Sequence, residues 1–303
     1  MFLPSAFSLT FTEMVRASAI CRGNTATFQL IDTHDAETPT GLQLLAKSSE
    51  EMLAALRKIE TMAIDPRWHH FRNICTVDLN FGCPSPDVIN IGAGPAMLKR
   101  KARITQMLSA LVEWKRTTSL PNIGAVGCKI RLGLNASEQS SKVYLRVVEA
   151  ANVSGLDYLT VHARHAKQRS RDLPTWSAIK EIRDIATMPI IGNGNVTSLK
   201  AALQMKDITG CDTFMLARAA IRNPWIFEDF CMQNTAADVS LERWPSVEEI
   251  DIAVKTYFEW SNKCNTKVKF VDFHRSNFER MRSAVLTGNR NLAVVSPKTQ
   301  HLS

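Results

Sequence analysis

Seven short β-rich runs punctuate the first two thirds of the chain, and stretches of helical periodicity separate them. The runs are SLTFTE (8–13), TGLQLL (40–45), CTVDLN (75–80), AVGCKIR (125–131), LDYLTVH (156–162), MPIIGNG (188–194) and DTFMLA (212–217). Between them, SSEEMLAALRKIETM offers Ser48 or Ser49 as an N-cap, acids in its first turn and apolar residues at helical spacing. ARITQMLSALVEWKR, KVYLRVVEAANVSG and TWSAIKEIRDIA follow the same pattern, and Gly155 suits the end of the second of these three. One strand and one helix every 25 to 50 residues or so predict parallel strands joined by crossover helices. No G-x-G-x-x-G opens the first unit, which favours a TIM-type (β/α)8 barrel over a doubly wound sheet. About seven strands are visible, one short of the full barrel.

Past residue 235 the pattern changes. SVEEIDIAVKTYFEWSNK and VDFHRSNFERMRSAVL read as helices with no strand between them. The expected organisation is a barrel over 1–235 and a small helical domain over 236–303. RWP at 243–245 marks the junction, Ser246 is a candidate N-cap, and the tail from Leu292 is expected to be poorly ordered.

Hydrophobic residues make up 45% of the 303, enough for a large core. No apolar run is long enough for a transmembrane helix, and the start lacks the basic region of a secretory signal. The seven cysteines are odd in number, widely spaced and free of C-x-x-C, which argues against a disulfide framework and a structural zinc site. A reducing, cytoplasmic setting is expected, with no membrane partner and a monomeric state. The net charge of +8 and pI near 9.2 favour contact with polyanions.

Function in a parallel barrel collects at the C-terminal ends of the strands. Those ends carry Glu13, Gln43, Asn80, Lys129, Arg131, His162, Asn193 and Arg218. Each alone has an ordinary structural explanation; the recurrence at every unit is what points to a site. Cys83 lies in a loop between Gly82 and Pro84, whereas Cys75, Cys128 and Cys211 fall in or beside strands and read as small core residues. A loop thiol at a site is a nucleophile or a proton donor. Thiols are mostly protonated at neutral pH, and no nearby histidine motif signals a thiolate. GNGN (192–195) and ARAA (217–220) follow the last two runs, where barrels often bind phosphate. LKRKAR supplies Lys99, Arg100, Lys101 and Arg103; HARHAKQRSR supplies Arg164, Lys167, Arg169 and Arg171 just past His162. The second cluster makes an anionic macromolecular substrate more plausible than a small molecule.

FTEMV, LQLLA, VDLNFGCPSP with GAGPAMLK, CKIRLG, LTVHARHAKQR, PIIGNGNV and MLARAAIRNPWIF stand in one order over roughly residues 8–230. In that order they resemble the tRNA-dihydrouridine synthases, and ARAAIRNPWIF is similar to the eukaryotic branch. The Asn-x-Gly-Cys-Pro segment is the most specific piece. The resemblance implies an FMN-containing barrel followed by a helical tRNA-binding domain. It implies FMN reduced by NADPH or NADH, hydride delivered to C6 of a uracil ring, and a proton delivered to C5. It makes Cys83 the acid. Gln43, Lys129 and His162 would contact the flavin, and Asn193, Gly194 and Arg218 would hold its phosphate region. Asn80, Arg131, Arg164 and Lys167 would meet substrate or phosphate, with Arg275, Arg280 and Arg282 adding backbone contacts. The family barrel begins with a strand ending in a Pro-Met turn; here SAFSLTFTEM aligns with the second strand, which accounts for the count of seven. Two other readings stay open on the sequence: a tRNA-binding relative without flavin, and an FMN barrel acting on a small pyrimidine.

Overall fold

A computed structural model describes residues 9–33, 39–232, 244–263 and 268–288. The chain divides into two compact units. One comprises Ser8–Val196 and Ala202–Met215; the other includes Thr197–Ala201 and Leu216–Ser303.

The larger unit is built on one parallel sheet. Its strands are β1 (Thr10–Phe11), β2 (Val15–Arg16), β3 (Thr40–Leu45), β4 (Ile74–Phe81), β5 (Ala125–Arg131), β6 (Tyr158–His162), β7 (Ile190–Asn193) and β8 (Thr213–Met215). Their order is β1-β3-β4-β5-β6-β7-β8, with β2 also pairing β3, and every pairing is parallel. This is the expected TIM-type strand order. The first expected run, 8–13, contains the short β1, which meets β3 at Thr40–Gly41; β2 follows just beyond the run and meets β3 at Leu44–Leu45. Strands three through eight fall where the β-rich runs predicted them, give or take two or three residues at the ends.

The pleat explains how one sequence serves both faces. Along β5, Val126, Cys128 and Ile130 are fully buried, while Gly127, Lys129 and Arg131 alternate with them on the opposite face. Val77, Leu79 and Phe81 of β4 and Leu159 and Val161 of β6 repeat the apolar set. Crossover helices supply its partners. Met52, Leu56 and Ile59 come from Ser49–Met62, and Met107, Leu108 and Leu111 from Lys101–Thr117, all at helical spacing and buried. Burying one such side chain contributes about 1.5–3 kcal/mol, so this face carries much of the stability.

Local signals set the helix ends. Ser48 is the N-cap of Ser49–Met62, its Oγ accepting from the Glu51 N–H at 3.3 Å. Gly155 closes Tyr144–Ser154 in the left-handed region at φ 68°.

In the other unit, Val247–Lys263 begins with a reciprocal capping box. Glu249 N–H donates to Ser246 Oγ at 3.1 Å, and Ser246 N–H donates to the Glu249 carboxylate at 2.7 Å. Trp225, Ile250, Ala253 and Met281 form its buried core, the last from the helix Val268–Thr287. Arg282 pairs with Asp251 at 3.0 Å, and the Arg275 guanidinium lies 4.9 Å from the Phe258 ring centre. The expected disordered tail falls outside the described residues. No helix among the described residues is long and apolar enough to cross a membrane.

Candidate active site

The inward face of the sheet becomes more polar toward its C-terminal end. Register places Gln43, Asp78, Gly127 and Tyr158 in one layer, and Asn80, Lys129, Thr160 and Ile191 in the next. Arg131, His162, Asn193 and Met215 form the last. Tyr158 fills the middle of the first of these layers: a Cβ on Gly127 would stand 2.2 Å from its ring. Its hydroxyl meets Thr76 Oγ1 at 3.0 Å.

Cys83 follows β4 and is held from three sides. Asn80 Oδ1 accepts from the Gly82 N–H at 3.0 Å and from the Cys83 N–H at 2.8 Å. Arg131 Nε donates to Gly82 O at 2.8 Å. On the third side, Gly94 adopts φ +58°, and a Cβ there would lie 2.9 Å from Val88 Cγ1 and 3.2 Å from Cys83 O. The glycine-rich loop can close on the cysteine backbone because residue 94 has no side chain. Cys83 is half-buried and packs with Met14 against Leu45, Val88 and Ala93.

Two polar side chains extend the network downward. Asn80 Nδ2 donates to Gln43 Oε1 at 2.8 Å, and Gln43 Nε2 donates to Asp78 Oδ2 at 3.2 Å. Asp78 is completely buried, and burial pushes its carboxyl up to about 7 against the pull of the Lys129 charge and the Gln43 hydrogen bond. Lys129, on the next strand, makes no hydrogen bond or ion pair with any described residue. Burial, reinforced by repulsion from Arg131 and opposed by Asp78, lowers its ammonium to about 8. Thr160 Oγ1 is buried beside it in register and also lacks a hydrogen-bond partner among the described residues.

The β6 and β7 ends are organised differently. Arg164, expected to face substrate or phosphate, is 2% exposed. Its Nε donates to Asp172 O at 2.9 Å, and its terminal nitrogens reach Asp172 O again, Ser170 O at 3.1 Å and Asn195 Oδ1 at 2.9 Å. A further N–H points at His162 Nε2, 3.3 Å away, so that nitrogen accepts and a neutral ring carries its proton on Nδ1. Arg164 therefore shapes the loop 165–172. That loop carries Lys167, Arg169 and Arg171, all exposed. Arg131 also ties loops: its second donor reaches His165 O at 3.4 Å, and burial with repulsion from Arg164 lowers it to about 10.

Asn193 is buried, and its Nδ2 donates to Met215 O at 2.7 Å, bridging β7 to β8. Gly194 follows at φ +120°, and a Cβ on it would press within 3.1 Å of the His162 ring. Arg218 is exposed at the start of the helix Arg218–Arg222 and belongs to the helical unit. In the first basic cluster, Lys99 pairs with the buried Glu138 at 2.8 Å and Lys101 with Glu149 at 2.5 Å. The layered register thus brings Gln43, Asn80, Cys83, Lys129, Arg131, His162 and Asn193 to one end of the sheet. Sequence reasoning missed Asp78. Its signal was an acid inside an apolar strand, two residues before Asn80 and hence on the same face.

The chain is 32% identical over 221 residues to a probable tRNA-dihydrouridine synthase from Aquifex aeolicus, covering 73% of this chain and 64% of that one. It is 28% identical to one from Mycobacterium leprae over 72% of this chain and 53% of the relative. It is also 28% identical to tRNA-dihydrouridine synthase B of Pseudomonas putida, over 73% and 60%. The chain thus spans between half and two thirds of the length of these curated relatives. Among solved structures, histamine dehydrogenase from Rhizobium sp. 4-9 superposes with a TM-score of 0.51 at 14% identity, over 74% of this chain and 41% of that one, a likeness of fold. The family model for dihydrouridine synthase (Dus) matches residues 5–294, and the chain belongs to that family.

Proposed function

We propose that this protein reduces a uridine of tRNA to dihydrouridine, with FMN as its flavin, NADPH or NADH as reductant and Cys83 as proton donor. The observation that carries this reading is the fixed Cys83 loop standing at the same sheet end as a lysine with no partner among the described residues. A flavin bound there would supply hydride to C6 of the uracil ring.

The residues fit such a group. Lys129 offers a buried cation without a partner among the described residues, suited to negative charge on a reduced flavin ring. With its ammonium near 8, it remains mostly protonated at pH 7. The Thr160 hydroxyl beside it also has capacity left for a ligand. Gln43 and His162 stand at the same end, with Asn193 and Gly194 nearest the ring of His162. Arg218 is the exposed cation expected for the phosphate.

Cys83 donates its Sγ proton to C5 of the base, and its backbone tethers keep the thiol from drifting out of reach. Asn80 meets the base, and Arg131 keeps the loop closed above it. A uridine in folded RNA must leave its stack to enter, so the backbone needs a basic surface to hold it. Lys167, Arg169 and Arg171 on the exposed 165–172 loop provide one, and the helical unit is read as the tRNA-binding domain. The protein is expected to act as a monomer in the cytoplasm.

The test is dihydrouridine formation on unmodified tRNA by the purified, flavin-loaded protein. Cys83→Ala should keep flavin absorbance and tRNA binding while turnover falls about 10²–10⁴-fold. Near-normal dihydrouridine formation by that variant would remove the acid role. Absence of flavin absorbance from folded protein, with tRNA binding intact, would leave a binding relative instead.

A further inference from the structure

The hydrogen bonds from Cys83 down to Asp78 have a direction that can be worked out from one end. The Gly82 and Cys83 N–H groups are donors and nothing else. Asn80 must therefore turn its oxygen toward them, as it does at 3.0 and 2.8 Å. Its NH₂ is then forced toward Gln43, which must answer with its own oxygen, at 2.8 Å. Gln43 Nε2 is left pointing at position 78, and only an acceptor there completes the series. Asp78 is that acceptor. Its environment is otherwise apolar enough that Oδ1 has no hydrogen-bond partner among the described residues. A buried carboxyl with an unpartnered oxygen is costly to keep, which calls for a role beyond packing.

We propose that Asp78 is a positioning residue: by accepting from Gln43 it locks the amide orientations of Gln43 and Asn80, and so holds the Cys83 backbone in place. Counting donors and acceptors gives the consequence for a ligand. Asn80 Oδ1 already accepts two N–H groups, so Asn80 has one N–H left and can only donate. It recognises an acceptor atom, such as a carbonyl of the base or of the flavin. Without an acceptor at 78, Gln43 is free to turn over, Asn80 can follow, and the Cys83 loop loses two of its anchors.

The inference rests on the proposed role of Cys83 for its meaning, but its test does not need the enzyme to be active. The full chain and its variants are treated with iodoacetamide, and labelling of each cysteine is followed by peptide mass spectrometry. Cys21, which is exposed, serves as the internal reference. Loss of one buried hydrogen bond shifts a local opening equilibrium about fivefold, so Asp78→Leu should raise Cys83 labelling by about that factor while Cys21 is unchanged. Asp78→Asn keeps an oxygen for Gln43 and should label like the wild type, which separates the acceptor from the charge. If Asp78→Leu does not fold, Gln43→Met breaks the same series at its middle and should give the same rise. Wild-type Cys83 labelling in folded Asp78→Leu or Gln43→Met, or an equal rise in Asp78→Asn, would overturn the proposal. Failure of the wild type to make dihydrouridine would instead count against the proposed reaction and leave this comparison readable.

Discussion

The β3–β4 end and the β6–β7 end of the sheet both carry polar residues, but they use them in opposite ways. At β3–β4, neutral amides and one carboxyl run in a directed series to the Cys83 backbone, and the neighbouring Lys129 ammonium has no partner among the described residues. At β6–β7, the buried charge, Arg164, is engaged with Ser170, Asp172, Asn195 and His162. A cation near a site is thus a ligand group or a brace according to what already satisfies it. The guanidinium, with five donors in a rigid fork, suits the brace; the ammonium, a compact charge on a flexible stem, suits the ligand.

The comparison can be broken most sharply at Arg164. Arg164→Ala should destabilise the larger unit by about 3 kcal/mol, because it removes a buried guanidinium together with its hydrogen bonds to the Ser170 and Asp172 carbonyls, and thermal melting measures that loss. Arg164→Lys should not restore it, since an ammonium cannot span the same acceptors. A melting point unchanged in either variant would show the brace to be dispensable. Gly94→Ala tests the other end with a smaller effect, a loss of about 1–3 kcal/mol from its left-handed backbone and the approach to Val88 and Cys83. That substitution should lower turnover along with stability, whereas Gly23→Ala, also at positive φ but with open space around it, should leave turnover alone.

The most gradual signal is the pH dependence of stability. Asp78 ionises ordinarily near 3.8 and in the fold near 7, so between those values the native state holds a proton that the unfolded chain has lost. Stability therefore falls as pH rises from about 4 to about 7 on account of this group. Asp78→Asn cannot titrate, and its stability relative to the wild type should climb across the same window. Lys129 changes charge in the fold near 8 and is held up by Asp78, so the comparison is read on the acid side of the window, between about pH 4 and 6. Denaturant midpoints for the two proteins at several pH values check it; parallel curves would mean that Asp78 ionises near its ordinary value.

Much of the fold was legible in one dimension because its causes are local. Alternating Val126, Cys128 and Ile130 with Gly127, Lys129 and Arg131 announces a strand with two different faces. Ser48, Gly155 and Ser246 mark helix ends through contacts within a few residues. The first run misled for the same reason. Its β-rich composition spans 8–13, but the backbone pairs β3 in two short pieces and then enters the helix Ala17–Cys21. Asp78 was overlooked because its partner Gln43 lies 35 residues away, and only strand register brings them side by side.

What the chain determined by itself was the period of each segment, the caps that end the helices and the placing of polar residues after apolar strands. These follow from backbone sterics and from neighbours close in sequence. Tertiary structure decided which of those polar groups are free. Arg164 and Lys129 look alike as basic residues near strand ends. One is enclosed by the carbonyls of its own loop, and the other faces the sheet interior with no described partner. That difference depends on distances across strands, because a hydrogen bond requires its partner within about 3 Å whatever the separation along the chain.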